Sequence, residues 1–258
     1  MISAEDMAAQ LIRAEQARTA IPPFSARHPG ISADTAYEAQ WEFVHAKLDA
    51  GEQLAGAKLG LTSRAKQEAM GVAEPLYGWV TSGMVADHGA PLDSASLIHP
   101  RAEPEIAFLL GRDVTAPATV TSVLAATEAV FAAVDILDSR FQDYRFTLPD
   151  VIADNASAGR IVLGPQARRP AELADLRLIG CVLRTEGTVT ATAAGAAAMG
   201  HPAAAVAWLA NCLGPRGEGL REGWIVLSGG LTAPVPLGPG RVVTAEFDRL
   251  GTVEVCCR

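Results

Sequence analysis

The chain has 258 residues, 49% of them hydrophobic and 19% charged, and its 21 Lys and Arg against 29 Asp and Glu give a net charge of −8. A chain of this length and apolar share buries a sizeable core as one large folded unit, which excludes intrinsic disorder. The acidic balance and the lack of any Lys/Arg run exclude a basic surface for nucleic acid or anionic membrane. An acidic small-molecule ligand would then have to be met by a local cation or a metal.

The N-terminal residues Met1-Ile2-Ser3-Ala4-Glu5-Asp6 show no basic start followed by an apolar run, and no segment reaches the roughly 20 apolar residues of a membrane span. The four cysteines, Cys181, Cys212, Cys256 and Cys257, have no Cys-x-x-Cys spacing and read as reduced thiols, with Cys256 and Cys257 pointing to opposite faces of an extended segment. The expected compartment is the cytoplasm.

In chain order, Ser3 followed by Asp6 opens a helix start of the capping-box kind. Ala8, Leu11 and Ile12 carry its apolar stripe to about Arg18. Ile21-Pro22-Pro23 breaks the chain. A second helix is predicted from Ser32 or Asp34 to Gly51, with Tyr37, Trp41, Val44 and Leu48 on one apolar face. Residues 1–53 therefore read as a helical cap, and 54–258 as the mixed-β catalytic core. Leu54–Leu61 predicts a buried strand, and Ser63 caps a short helix that ends at Gly71. Further strands are expected at Glu103–Leu110, Val134–Leu137, Leu176–Arg184, Trp224–Leu227, Arg241–Phe247 and Thr252–Cys256. Helices are expected at about Thr121–Ala133 and Pro202–Leu213, and Ala191–Gly200 reads as an Ala/Gly-rich connection. Strands dominate without strict strand–helix alternation, so the fold class is α+β with a mixed sheet.

Three segments carry candidate chemistry. In Arg101-Ala102-Glu103-Pro104-Glu105 the two glutamates share one face of a strand, where like charges repel unless a cation lies between them. Pro104 cannot donate to a ladder, which suggests an edge or a bulge; a solvated strand end is the plain alternative. In Val134-Asp135-Ile136-Leu137-Asp138-Ser139-Arg140, Asp135 sits among apolar residues and needs a partner. That partner is either a cation bound by oxygen ligands, for which magnesium or manganese suits better than zinc, or Arg140 in a structural ion pair with Asp135 or Asp138. Lys58, inside a predicted buried strand, calls for an anion or a reacting group opposite it, unless its head reaches solvent. A weaker signal is Ala153-Asp154-Asn155-Ala156-Ser157, a turn that could offer Ser157 to a ligand. Glycine-rich phosphate loops and the Gly-x-Ser-x-Gly elbow are missing, and the five histidines are scattered.

Taken together these segments resemble the hydratase/decarboxylase branch of the fumarylacetoacetate hydrolase superfamily, from about Ala55 to the C-terminus. The pieces are Lys58–Ser63, Met70-Gly71-Val72, Arg101–Glu105, Val134–Arg140, Ala153–Ser157, Gly195–Gly200 and Leu227–Leu231, and their order and spacing together are the specific signal. The resemblance implies a mixed-β roll with helices outside, and a divalent metal (Mg2+ or Mn2+) held by Glu103, Glu105 and Asp135. It also implies an active-site lysine at Lys58, and Leu76 and Ser157 beside the substrate. The family pattern carries Glu at the third ligand position, where this chain has Asp135.

Two reactions share the template: hydration of 2-hydroxypenta-2,4-dienoate and decarboxylation of 2-oxohex-3-enedioate. The hydratases of the family carry an acid in a Pro-Asp-aromatic-Gly turn, and here the segment reads Pro75-Leu76-Tyr77-Gly78. Decarboxylation is therefore the expected activity, with hydration, or a non-catalytic partner subunit, as the alternatives. A homo-oligomer, or a complex with a partner hydratase, is implied by the resemblance alone.

Overall fold

A computed structural model describes residues 2–258, the side chain of Ala69 excepted. Helix α1 (Ala4–Ala17) starts at Ser3, whose hydroxyl accepts from the Asp6 amide, and ends with Arg18 in the left-handed region. Helix α2 (Ala33–Asp49) is capped in the same way by Ser32. Then come strand β1 (Leu54–Gly60), helix α3 (Arg64–Met70, between the Ser63 cap and Gly71), β2 (Leu76–Thr81) and β3 (Val85–Ala86). The centre of the chain supplies β4 (Arg101–Leu110), α4 (Val120–Ala126), β5 (Thr127–Leu137), α5 (Leu148–Ala153) and β6 (Ala158–Leu163). The last third adds β7 (Gly180–Thr185), β8 (Thr188–Ala194), α6 (Pro202–Leu213), β9 (Ile225–Leu227), β10 (Val235–Pro236), β11 (Val242–Phe247) and β12 (Gly251–Cys256).

The strands form two sheets. The larger runs β2-β1-β9-β4-β5-β6-β3, with β10 also paired to β4; β1–β9 and β3–β6 are parallel, and the other pairs antiparallel. The smaller, β12-β11-β7-β8, is antiparallel throughout. This is the α+β mixed-sheet architecture expected from the sequence. Met7, Leu11 and Phe43 of the two N-terminal helices share one continuous core with Ile106, Val134 and Val243 of the sheets. Among the described residues no helix is long and apolar enough to cross a membrane.

Several expectations are corrected. The predicted helix over Thr121–Ala133 stops at Ala126, and Thr127–Ala133 is the first half of β5. That strand lies between β4 and β6 and is buried on both faces, so it lacks the alternation by which a strand is recognised. The inward face of α2 is Ala36, Ala39, Gln40, Phe43 and Val44, whereas Trp41 is 40% exposed and Tyr37 stacks on Tyr77 at 4.6 Å. Ala191–Ala194 belongs to β8, and β2, β6 and β8 had no counterpart among the predicted strands. Pro75-Leu76-Tyr77-Gly78 is not a turn: Leu76 opens β2 and pairs with Gly60. Nor is β4 an edge. Pro104 is tolerated in this central strand because its carbonyl accepts from the Leu231 amide at 2.9 Å, in the gap between β9 and β10. The nitrogen of a strand residue points to the same side as its carbonyl, so the missing N–H faces that gap and no ladder bond is lost.

Candidate active site

The β4–β5 ladder sets Glu103 directly opposite Asp135 and Arg101 opposite Leu137. Lys58, from the middle of β1, is 1% exposed; its Nζ pairs with Asp135 Oδ2 and donates to the Ala156 carbonyl at 3.0 Å. Glu105 is fully buried, and its Oε2 accepts from the Gly229 amide at 2.7 Å. A second lysine, which sequence reasoning missed, completes the group: Lys66 donates to Glu103 Oε1 at 2.9 Å and to the Gly230 carbonyl at 3.2 Å. Its signal was the Ser63 cap, which puts residue 66 in the first turn of α3, although nothing local says where that turn faces.

These groups sit at a cavity of about 310 Å³ whose other walls are largely apolar, including Leu61, Leu76, Leu137, Phe146 and Val151. Lys58, Leu76, Glu103, Asp135 and Ser157 line it, while Glu105 lies behind the lining. The Ser157 hydroxyl donates to Asp154 Oδ2 at 3.0 Å. Asp154 is also the partner of the buried Arg140, at 2.5 Å, and Asp138 accepts from the amides of Ile98 and His99. The alternative of an Arg140 pair with Asp135 or Asp138 therefore fails, and Asp135 is left to face Lys58.

Backbone strain collects here. Leu61, Tyr144, Ala156 and Ser157 all line the cavity with φ between 53° and 56°, and Asn155 precedes the last two at 51°. Each left-handed non-glycine residue costs roughly 1–3 kcal/mol and persists where its surroundings hold it. For the 155–157 turn the holder is Asn155: its Oδ1 accepts from the Trp79 amide at 2.7 Å and its Nδ2 donates to the Trp79 carbonyl at 2.9 Å. Gly230 is required by close approach, since a β-carbon there would overlap the Glu103 carboxylate.

Burial pushes Glu105 well above the usual carboxylate range, and the neighbouring Asp135 charge adds to the rise while Lys58 opposes it. Burial also raises Asp135, against the pull of Lys58. Glu105 Oε1 and Asp135 Oδ1 are buried without a hydrogen-bond partner. Unsatisfied carboxylate oxygens are costly, and an oxygen-only donor set facing them suits a hard divalent cation such as Mg2+ or Mn2+. The residues fit such an ion. Among the described residues no three His, Cys, Asp or Glu side chains are already drawn together as a ligand cluster; Lys58 and Lys66 stand at Asp135 and Glu103 instead.

Fold and site together define a class: an α+β protein with acids and lysines gathered at a largely apolar small-molecule cavity. The chain belongs to the fumarylacetoacetate hydrolase family, residues 53–258 matching the family described as fumarylacetoacetate (FAA) hydrolase C-terminal. It is 40% identical over 234 residues to a 4-oxalocrotonate decarboxylase of Pseudomonas sp. (strain CF600), covering 90% of this chain and 88% of the relative. It is also 42% identical over 207 residues to a 2-hydroxypent-2,4-dienoate hydratase of Pseudomonas putida, covering 80% and 93%. Among solved structures, the 4-oxalocrotonate decarboxylase from Pseudomonas putida G7 complexed with magnesium and adipate superposes with a TM-score of 0.94 at 35% identity, covering 100% of this chain and 99% of that one.

Proposed function

We propose that the protein is a divalent-metal-dependent carboxy-lyase that converts 2-oxohex-3-enedioate (4-oxalocrotonate) to 2-hydroxypenta-2,4-dienoate and CO2. Relatives of both reaction types resemble the chain to a similar degree, so the cavity has to separate them. The observation that carries the reading is Leu76, which is 2% exposed and lines the cavity; by the family resemblance it stands where the hydratases carry an acid. Adding water across a diene requires proton donors and acceptors beside it, whereas loss of CO2 requires a sink for the electron pair and a dry wall.

The substrate is a vinylogous β-keto acid. The bond from C5 to the distal carboxylate breaks, CO2 departs, and the electron pair passes through the alkene to the 2-oxo oxygen, where a proton completes the enol. Glu103, Glu105 and Asp135 would hold the metal, which when bound supplies Lewis-acid polarisation of the oxygen that collects the pair. Lys58, aimed by Asp135 and the Ala156 carbonyl, is positioned to steady charge developing on that oxygen or to deliver its proton. Leu76, Phe146 and Val151 keep water from the departing carboxylate. The test is ultraviolet turnover of 2-oxohex-3-enedioate and 2-hydroxypenta-2,4-dienoate in parallel, with magnesium and with chelator. Magnesium-dependent consumption of the diacid alone is expected. Hydration of the dienoate without decarboxylation would install the hydratase reading, and metal-independent turnover would remove the cation from it.

A further inference from the structure

We propose that Arg101 is the seat of a second carboxylate: its guanidinium binds the distal carboxylate of the substrate and sets the preference of the cavity for diacids over monoacids. The inference deepens the decarboxylase reading and rests on it for the substrate, but its evidence is separate. Three cationic side chains line the cavity, Lys58, Lys66 and Arg101. The first is paired with Asp135 and the second with Glu103. Arg101 makes no ion pair or side-chain hydrogen bond among the described residues; its guanidinium carbon lies over the Tyr144 ring, 3.9 Å from the ring centroid. Its side chain is half-buried and its guanidinium nitrogens remain accessible, so an anion entering the cavity can reach them.

With its guanidinium carbon over the Tyr144 ring and no side-chain hydrogen bond among the described residues, Arg101 keeps its N–H donors for a carboxylate, which a guanidinium can engage through two parallel hydrogen bonds. Tyr144 is a firm support. Its hydroxyl lies 3.0 Å from the Leu137 carbonyl and 3.2 Å from that of His99, and it accepts from the Ser139 amide at 3.4 Å. Burial keeps its phenol neutral, with a pKa pushed well above the usual value.

Distance and charge agree with this role. Arg101 and Glu103 are two residues apart on one face of β4, roughly 6.6 Å along the strand, a span comparable to an extended six-carbon diacid. Lys58 and Lys66 already face acid partners, so Arg101 is the cavity cation left to meet a second carboxylate. Arg101 would hold a carboxylate that must leave as neutral CO2, so its grip favours the bound substrate over the transition state. It acts on substrate selection and on the orientation of the breaking bond more than on the rate.

The experiment compares parent, Arg101→Gln and Arg101→Lys in magnesium, each first shown by circular dichroism to be folded. Binding of adipate and of hexanoate is measured by calorimetry, and KM and kcat with 2-oxohex-3-enedioate. The parent should prefer adipate. Arg101→Gln should lose at least about tenfold of that preference with hexanoate binding unchanged, and its KM should rise by a similar factor while kcat moves less than about threefold. Arg101→Lys should recover part of the preference. Retention of the parent's adipate preference in Arg101→Gln, or equal weakening of both acids, would overturn the proposal. If adipate preference depends on Arg101 but the parent does not consume 2-oxohex-3-enedioate, the seat stands and the decarboxylase reading fails.

Discussion

Lys58 and Ala156, 98 positions apart in the chain, are joined by a 3.0 Å hydrogen bond from the lysine ammonium to a carbonyl aimed by a left-handed backbone, φ 53°. Asp135 supplies the second acceptor, so the direction of a flexible four-carbon side chain is set from two sides. Replacing Lys58 by Met keeps the stem and deletes the charge. Turnover of 2-oxohex-3-enedioate should fall at least about 100-fold, or about 2.7 kcal/mol of barrier, in a protein that still folds and binds magnesium. A kcat within about threefold of the parent would make the lysine a bystander.

Gly230 tests how closely the loop after β9 must approach the acids. Gly230→Ala places a β-carbon against the Glu103 carboxylate and crowds the Lys66 ammonium. Magnesium affinity, read by calorimetry, should drop at least about tenfold with little change in circular dichroism. Unchanged affinity would mean that Glu103 moves freely or does not bind the ion.

Glu105 and Asp135 predict a pH signature. Burial raises both, so without metal the folded chain binds more protons than the unfolded chain from the ordinary carboxylate range up to the raised values. Their contribution to stability is therefore full below that window and is lost as pH rises through it. In chelator, Tm should fall as pH rises above the ordinary carboxylate range, and magnesium should raise Tm most at the upper end of that window, where the acids ionise readily. Glu105→Gln should flatten the slope and shrink the magnesium shift. A Tm in chelator that climbs over this range, with no difference in the variant, would contradict the assignment.

Leu76→Asp addresses the reaction itself. A carboxylate beside the departing carboxylate repels it and wets the wall, so decarboxylation should slow by at least about tenfold. Slow hydration of 2-hydroxypenta-2,4-dienoate should then become measurable by ultraviolet absorbance. Full decarboxylation by this variant would show that Leu76 only packs β2 against its neighbours.

Helix ends were legible in the sequence because caps are local. Ser3, Ser32 and Ser63 each accept from an amide three residues on, and Gly71 takes the left-handed conformation that ends α3. The β4 acids were legible because a strand period of two puts Glu103 and Glu105 on one face whatever lies opposite. β5 was only half legible, since burial on both faces removes the alternation, and β2 was read as a turn because its pairing with β1 is not a property of the segment itself.

The sequence by itself determined the capped helices, the shared face of Glu103 and Glu105, the apolar setting of Asp135 and Lys58, and the family to which the chain belongs. Partnership was decided only by the tertiary structure. Asp135 faces Glu103 through strand register, Arg140 goes to Asp154, and Lys66 comes down from α3 to Glu103, leaving Arg101 stacked on Tyr144. The physical reason is that side-chain type and periodicity are local quantities. Which buried charge meets which depends on ladders and loops that join residues tens of positions apart, and a buried charge must take whichever opposite charge those contacts bring to it.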